Sequence, residues 1–126
     1  MRCDMTILEI LDAAGTRLRA GRVEATGLVL SSSGVLRTGG LEIIPANGSH
    51  ARSDQLIDAL FEAVAQGRVR RYAEDWQLTA EGVDMLERAE ARAGDAARRL
   101  ADELGALDDD ALIDEADRLN RPLSAA

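Results

Sequence analysis

Residues 53–66 carry the most regular apolar pattern in the chain. Large apolar side chains recur there every three or four residues, which is the period of one face of an α-helix; they are Leu56, Ile57, Leu60, Phe61 and Val64. Ser53 precedes the pattern, where its hydroxyl can cap the first turn, and Gly67 follows it, where glycine commonly ends a helix. The pattern therefore predicts an amphipathic helix that needs a core along one side.

A hairpin is predicted directly after this helix, over residues 68–79. With Ala73 and Glu74 as its turn, Val69 lies opposite Leu78 on one face of the hairpin. Alanine and glutamate are poor residues for a two-residue loop, so a looser turn is expected.

This hairpin also holds a local cluster of positive charge, formed by Arg68, Arg70 and Arg71. The same register puts Arg71 opposite Trp76, close enough for the guanidinium to stack on the indole. Two interpretations stay open. The arginines bind a partner, or they are solvated charges that keep an edge strand from aggregating.

Weaker patterns predict the other elements. Alternating apolar and polar residues over 23–30 and 35–44, with turn residues between them, indicate a first hairpin. Helices are expected over three further ranges: 6–20, 79–105 and 108–121. The predicted order is α-β-β-α-β-β-α-α. It describes an α+β fold, in which a small antiparallel sheet of two hairpins packs against helices.

The acidic residues are concentrated towards the C-terminus. The formal net charge of the chain is −8, and 12 of its 23 acidic residues lie in residues 84–126. We therefore expect a compact α+β domain over residues 1–83 and a C-terminal acidic helical extension over 84–126. Alternating charge and an alanine-rich face in this extension favour a homodimer through the C-terminal helices.

Composition excludes several classes of function. No apolar run approaches the roughly 18 residues of a membrane-spanning helix, and the N-terminus lacks the apolar stretch of a signal peptide, so a cytoplasmic protein is expected. Cys3 and His50 are the only cysteine and histidine, which excludes an internal disulfide and a zinc site of four N/S ligands. No spacing marks a catalytic set, so the protein is expected not to be an enzyme and to need no metal or cofactor.

Residues 56–86 carry a recognisable series of motifs. A helix ends at Gly67, a Gly-x-Val strand start follows at residues 67–69, and a Leu-Thr-x-x-Gly helix start follows at residues 78–82. This stretch resembles the wing and following helix of winged-helix regulators of the MarR or PadR type. The resemblance implies a winged-helix-like second half. The alternative is a hairpin and helix that serve only to complete an α+β core.

In those families the helix before the wing reads the major groove, and wing arginines contact phosphate or the minor groove. The resemblance therefore implies groove contacts by Ser53, Asp54 and Gln55. It also implies backbone contacts by four arginines: Arg52, Arg68, Arg70 and Arg71. A winged helix has a helix-turn-helix before its wing, whereas strands are predicted here over residues 23–44. Asp54 and Asp58 would also repel phosphate.

Two functions follow from these features. The first is a small non-enzymatic cytoplasmic regulator that acts by macromolecular binding, with DNA bound through the winged-helix-like hairpin. The alternative is an acidic protein-binding inhibitor or adaptor, such as a phage anti-defence protein of the anti-CRISPR kind that blocks a nucleic-acid-binding surface. The position of the four arginines decides between them. A shared face free of carboxylates favours DNA, and a face covered by acidic residues favours a protein partner.

Overall fold

A computed structural model describes residues 2–122 of the chain. Within this range the elements in chain order are α1 (Arg2–Ala13), β1 (Arg17–Arg19), α2 (Ala20–Ser32), α3 (Asp54–Ala65), β2 (Val69–Tyr72), β3 (Asp75–Leu78), α4 (Ala80–Arg88), α5 (Asp95–Gly105) and α6 (Asp109–Leu119). The predicted α+β class is confirmed, because these residues form six helices and one small three-stranded antiparallel sheet.

Helix α1 lies at the centre of the molecule, in contact with α2, α3, α4 and α5. Its apolar side chains are buried all round the helix: Ile7, Leu8, Ile10 and Leu11 are each 1% exposed or less. A helix without a polar face is stable in water only when neighbours cover every side. The core therefore forms around α1.

The predicted first hairpin is wrong, because α2 occupies residues 20–32 and residues 35–44 form no strand. Nearly all of residues 23–30 are buried, so this helix has no solvated face from which a helical period could be read. When a segment is buried on every side, an alternation of small and branched apolar residues is compatible with a strand and with a helix.

A long connection without helices or strands joins α2 to α3 over residues 33–53, apart from one isolated bridge between Ile44 and Arg52. Side chains provide hydrogen-bond partners for some backbone amides of this connection. The Glu9 carboxylate accepts hydrogen bonds from the amides of Arg37 and Thr38, at 2.8 and 2.9 Å. Glu9 is completely buried, so α1 holds this connection from inside the core.

The sheet has three antiparallel strands in the order β1-β3-β2. The predicted register of the second hairpin is confirmed, with Val69 opposite Leu78 and Arg71 opposite Trp76. The helix predicted over residues 6–20 is wrong after residue 13, because β1 begins at Arg17 and pairs with β3. Leu18 continues the apolar period of α1, which hid this strand.

The turn between β2 and β3 consists of Ala73 and Glu74 alone, so the expectation of a looser turn is wrong. Ala73 has a φ of 54°, in the left-handed region that an L-residue adopts at a cost. Pairing on both sides, between Tyr72 and Asp75, holds this strained residue in place.

Replacing Ala73 with glycine is expected to raise the free energy of unfolding by about 0.5–1 kcal/mol, because glycine adopts this φ without strain. Chemical denaturation of the purified chain measures the change. Ala89→Gly is the matched control, since Ala89 has a φ of −86° and gains nothing from glycine. A loss of stability in Ala73→Gly as large as in the control would contradict the expectation.

The long helix predicted over residues 79–105 is also wrong, because it is broken into α4 and α5. Glu90 has a φ of 53° in the break.

In α5, Ala97 and Ala101 are buried in the same apolar cluster as α1, so the boundary proposed at residue 83 is crossed by a shared core. That boundary and the homodimer stay predictions. A dimer through the C-terminal helices would have to use their charged surfaces, since these alanines are covered.

Helix α6 begins as predicted, with the Asp108 carboxylate accepting a hydrogen bond from the Ala111 amide at 2.8 Å. The acidic run at residues 108–110 is therefore a helix start, where negative charge is favourable. Helix α6 packs against α2. None of the helices within residues 2–122 has both the length and the apolar character needed to cross a bilayer.

Candidate functional site

Ser53 and Gln55, two of the predicted groove-reading residues, have structural partners. Ser53 is fully buried, and its hydroxyl accepts a hydrogen bond from the Leu56 amide at 3.2 Å, which caps α3. The side-chain oxygen of Gln55 accepts a hydrogen bond from the Glu42 amide at 3.0 Å. Both side chains therefore hold the start of α3 and the connection that leads into it.

The predicted arginine cluster is divided between the two faces of the hairpin. The Arg71 guanidinium lies 5.0 Å from the centre of the Trp76 ring, so the predicted stacking is confirmed. Arg70 is on the opposite face, where its Nε donates to the side-chain oxygen of Gln77 at 2.9 Å. Arg68 precedes the strand and is half-buried.

Few carboxylates neutralise these arginines. Among the side chains of residues 5–122, no ion pair includes Arg68, Arg70 or Arg71. The Nε of Arg68 is the one buried side-chain nitrogen or oxygen in that range without a hydrogen-bond partner. Arg52, by contrast, has its Nε 3.6 Å from an oxygen of Asp54. Strand β2 thus supplies cations that remain available to a ligand.

The solvent side of α3 combines acidic and apolar residues. We call it the outer face of α3, formed by Asp54, Ile57, Asp58, Phe61, Glu62 and Ala65. The side chain of Phe61 is 62% exposed and that of Ile57 is 39% exposed. Residues four apart are neighbours on a helix, so the two apolar side chains form a row beside a row of three carboxylates. The helix contains no lysine or arginine.

Two of the five residues in the predicted apolar stripe of α3 do not face the core. Leu56 and Leu60 are buried as expected, but the rest of the buried set in α3 consists of the small residues Ala59 and Ala63. Ile57 and Phe61 point to solvent instead. Period alone shows that a helix is amphipathic, but not which edge of a broad apolar stripe its neighbours cover.

The solvent side of the sheet has a different character. We call it the outer face of the sheet; the strand register places six side chains on it: Arg17, Arg19, Arg70, Tyr72, Asp75 and Gln77. The guanidinium carbons of Arg17 and Arg70 lie 5.2 and 5.6 Å from the centre of the Tyr72 ring. Sequence reasoning missed Arg17 and Tyr72, because their proximity depends on the pairing of β1 with a distant strand.

Two of the arginines on this face have acidic partners. The Nε of Arg17 lies 2.5 Å from an oxygen of Asp75. Arg19 lies 3.0 Å from an oxygen of Asp109, at the start of α6. The neighbouring Arg22 bonds to the same carboxylate, and the Arg22 hydrogen bond and the charges of both arginines hold the pKa of Asp109 below its ordinary value of 3.8.

His50 is held against α6 by Asp117. Its Nδ1 lies 2.6 Å from an oxygen of Asp117, and that hydrogen bond is the main reason that the pKa of His50 is raised above 6.5. The second oxygen of Asp117 accepts a hydrogen bond from the Ala51 amide at 2.8 Å. The pair therefore tethers the end of the long connection. Cys3 lies outside the residues whose side chains are described.

Nothing in the described part of the chain gathers three His, Cys, Asp or Glu side chains in an arrangement that could hold a metal ion. What the geometry offers is two surfaces of different chemistry, one acidic and apolar on α3 and one basic and aromatic on the sheet. No family model matches the chain, and no curated protein or solved structure matches it.

Proposed function

We propose that this protein is a non-catalytic regulator that binds another protein through the outer face of α3. The observation that supports this most directly is the exposure of Phe61, at 62%, beside Ile57, at 39%, on a helix with no cation. Large side chains with this exposure form anchors when a partner supplies an apolar pocket. The protein acts as an acidic inhibitor or adaptor, in the cytoplasm.

The partner has a basic surface around that pocket. Asp54, Asp58 and Glu62 lie in one row beside Phe61, and each is at least partly exposed. Complementary arginines or lysines on the partner would attract this row and speed the encounter. Surfaces that bind nucleic acid have this composition, so a nucleic-acid-binding protein is the class of partner that the α3 face fits.

The order of elements supports the winged-helix resemblance as a proposal about the scaffold. The series α1-β1-α2-α3-β2-β3, with α3 directly before the hairpin, includes α2, the helix ahead of α3 that the sequence patterns did not predict. In winged-helix regulators the helix before the wing is the reading element. Three carboxylates on α3 would repel phosphate, so we propose that in this protein the same helix binds a protein and not DNA.

Capture of partners on the immobilised full chain tests this function. We expect the unchanged chain to capture a basic protein. When the binding is measured again with both proteins purified, Phe61→Ala should weaken the binding free energy by about 2 kcal/mol. High salt should weaken the complex as well, because part of its affinity comes from charge. Phe61→Ala should keep its fold, since the side chain contacts mainly solvent.

Tyr72→Ala provides the matched control. Tyr72 is also an exposed aromatic residue, at 53%, but it lies on the sheet. The partner should bind Tyr72→Ala as tightly as the unchanged chain. Equal binding of the captured protein to Phe61→Ala and to the unchanged chain would rule out the α3 face as the interface.

A further inference from the structure

We propose that the outer face of the sheet binds single-stranded nucleic acid, through the cluster of Arg17, Arg70 and Tyr72. This surface is separate from the outer face of α3 and rests on different observations. The sheet packs its other face, with Val69 and Leu78, into the core, so the two proposed contacts do not compete for the same side chains.

The first observation is the aromatic ring. Tyr72 is 53% exposed on strand β2, and the Arg17 and Arg70 guanidinium carbons lie 5.2 and 5.6 Å from the centre of its ring. Proteins that bind single strands combine stacking on aromatic rings with arginine contacts to the backbone. Duplex DNA keeps its bases stacked internally, so an exposed tyrosine gains less from it.

The second observation is the unbalanced charge along β2. Arg70, on the outer face, forms no ion pair within residues 5–122, and its Nε donates only to the neutral side chain of Gln77. On the outer face, Asp75 is the single carboxylate contributed by the strands, and it is shared with Arg17. Arg70 can therefore neutralise a phosphate without first breaking an ion pair, whereas Arg17 has to exchange its contact with Asp75 for a phosphate.

The distance between the strands suits contacts to two phosphates of one nucleic-acid strand. Arg17 and Arg70 both lie opposite Gln77, one on each side of β3. Neighbouring strands are about 4.8 Å apart, so the backbones of these arginines are separated by about 10 Å. Two flexible guanidinium groups at that separation can contact different phosphates of one strand while Tyr72 stacks on a base between them.

The acidic C-terminal helices limit the affinity without covering the site. Asp109 of α6 pairs with Arg19 at the edge of the sheet, and its contacts do not extend to Arg17 or Arg70. We therefore expect weak binding, visible at low salt, with a preference for single strands.

Fluorescence anisotropy with a labelled oligothymidylate of about 16 nucleotides tests the proposal, since one site of this kind covers about 4–16 nucleotides. The unchanged chain should bind it at low salt and release it as salt rises. Arg70→Ala should reduce the slope of log affinity against log salt by about 0.7, the value expected for one lost phosphate contact on a single strand. Tyr72→Ala should weaken binding about tenfold.

Matched variants separate this site from general electrostatics. Arg88→Ala removes an exposed arginine of α4 that is paired with Asp84, and it should leave the slope unchanged. Arg70→Lys keeps the charge and should keep the slope. Phe61→Ala should bind the oligonucleotide normally, so a failure of the α3 interface is distinguishable from a failure of this one.

Three results would overturn the proposal: no salt-dependent binding by the unchanged chain, equal slopes for Arg70→Ala and Arg88→Ala, or tighter binding of the corresponding duplex than of the single strand. The last result would assign the arginines to duplex backbone contacts and leave Tyr72 without a role.

Discussion

Asp12→Asn is expected to lower the free energy of unfolding by about 3 kcal/mol, the cost of removing one partner from a buried ion pair. The Asp12 side chain is completely buried. Its two oxygens accept from Nε and Nη2 of Arg92, at 2.9 and 3.0 Å, in the two-pronged geometry that makes such pairs strong. Asparagine cannot accept both bonds, and it removes the buried counter-charge of Arg92, leaving only the exposed Glu87 carboxylate, 3.1 Å from Nη1 of Arg92.

The same carboxylate connects three parts of the fold. It accepts a hydrogen bond from the Ala93 amide at 2.8 Å and another from Nη2 of Arg98 at 3.1 Å. Asp12 therefore fixes the segment between α4 and α5 to the central helix. Both arginines remain partly solvated, at 38% and 39% exposure, which keeps the expected loss near the lower end of the range for buried pairs.

Acid should remove this contribution. Burial alone would raise the pKa of Asp12, but the hydrogen bonds from Arg92 and Ala93 and the charge of Arg98 outweigh it and hold the pKa below 3.8. A depressed pKa means that the stabilisation is present above the pKa of the unfolded chain and is lost as pH falls through that of the folded chain. The difference in stability between the unchanged protein and Asp12→Asn should thus begin to shrink as the pH falls below about 4, and it should close only below the depressed pKa of Asp12 in the folded chain.

Urea denaturation at neutral and acid pH measures both effects. Asp84→Asn is the control, because it removes the exposed ion pair with Arg88 on one helix surface. Such surface pairs contribute about 0.5 kcal/mol or less. If Asp12→Asn were no less stable than this control at neutral pH, the buried pair would have no net role in holding α4 and α5.

The elements that sequence predicted well are those with local signals. Ser53, Thr79 and Asp108 each accept a hydrogen bond from the amide three residues ahead, so the helices predicted to start at these three residues do start there. The register of the second hairpin was also predictable, because alternation and the position of the turn determine it within about ten residues.

The missing elements depend on distant parts of the chain. Strand β1 has only three residues, and it exists because Leu18 and its neighbours pair with β3, 58 residues further on. Helix α2 shows no polar face because α1, α5 and α6 cover it. Local periodicity carries no information about such partners, so the sequence pattern predicts a helix where β1 lies and strands where α2 lies.

The contacts in the candidate surfaces also fall into two groups, those within one hairpin and those between distant elements. The stacking of Arg71 on Trp76 follows from the register within one hairpin and was predicted. The proximity of Arg17 to Tyr72 requires the third strand, and it could not be inferred without β1. The exposure of Phe61 depends on which neighbours α3 meets. A surface assembled from separate elements becomes visible only when the tertiary structure is known.

Gly82→Ala is expected to destabilise the protein by about 2–3 kcal/mol, in the upper part of the range for overpacking. A Cβ at this position would lie 2.4 Å from the backbone oxygen of Arg68 and 2.6 Å from Cδ1 of Leu78. The Arg68 oxygen cannot rotate away, because it belongs to the main chain and accepts a hydrogen bond from the Thr79 amide at 3.0 Å. Either α4 must move away from β2 or that bond must break.

The direction of this effect is informative, because helix propensity alone predicts the opposite. Alanine is favoured over glycine by about 0.8–1 kcal/mol inside a helix. Gly21→Ala in α2 is the control, since no atom lies within 4 Å of its added Cβ and it should be neutral or slightly stabilising. Gly27→Ala is expected to fall between the two, because its added Cβ meets side-chain atoms of Leu56 and Ile10, at 2.8 and 2.9 Å, and no backbone atom.

Thermal and urea denaturation of the three variants measures the order of these effects. Stability of Gly82→Ala equal to that of Gly21→Ala would show that α4 has room to move. The expected loss would instead explain the spacing of the Leu-Thr-x-x-Gly series at residues 78–82. Thr79 caps α4 through the Gly82 amide, at 3.1 Å, and the absence of a side chain at Gly82 lets that first turn approach the start of β2. The motif is then a requirement of close packing between hairpin and helix, whichever partner the protein binds.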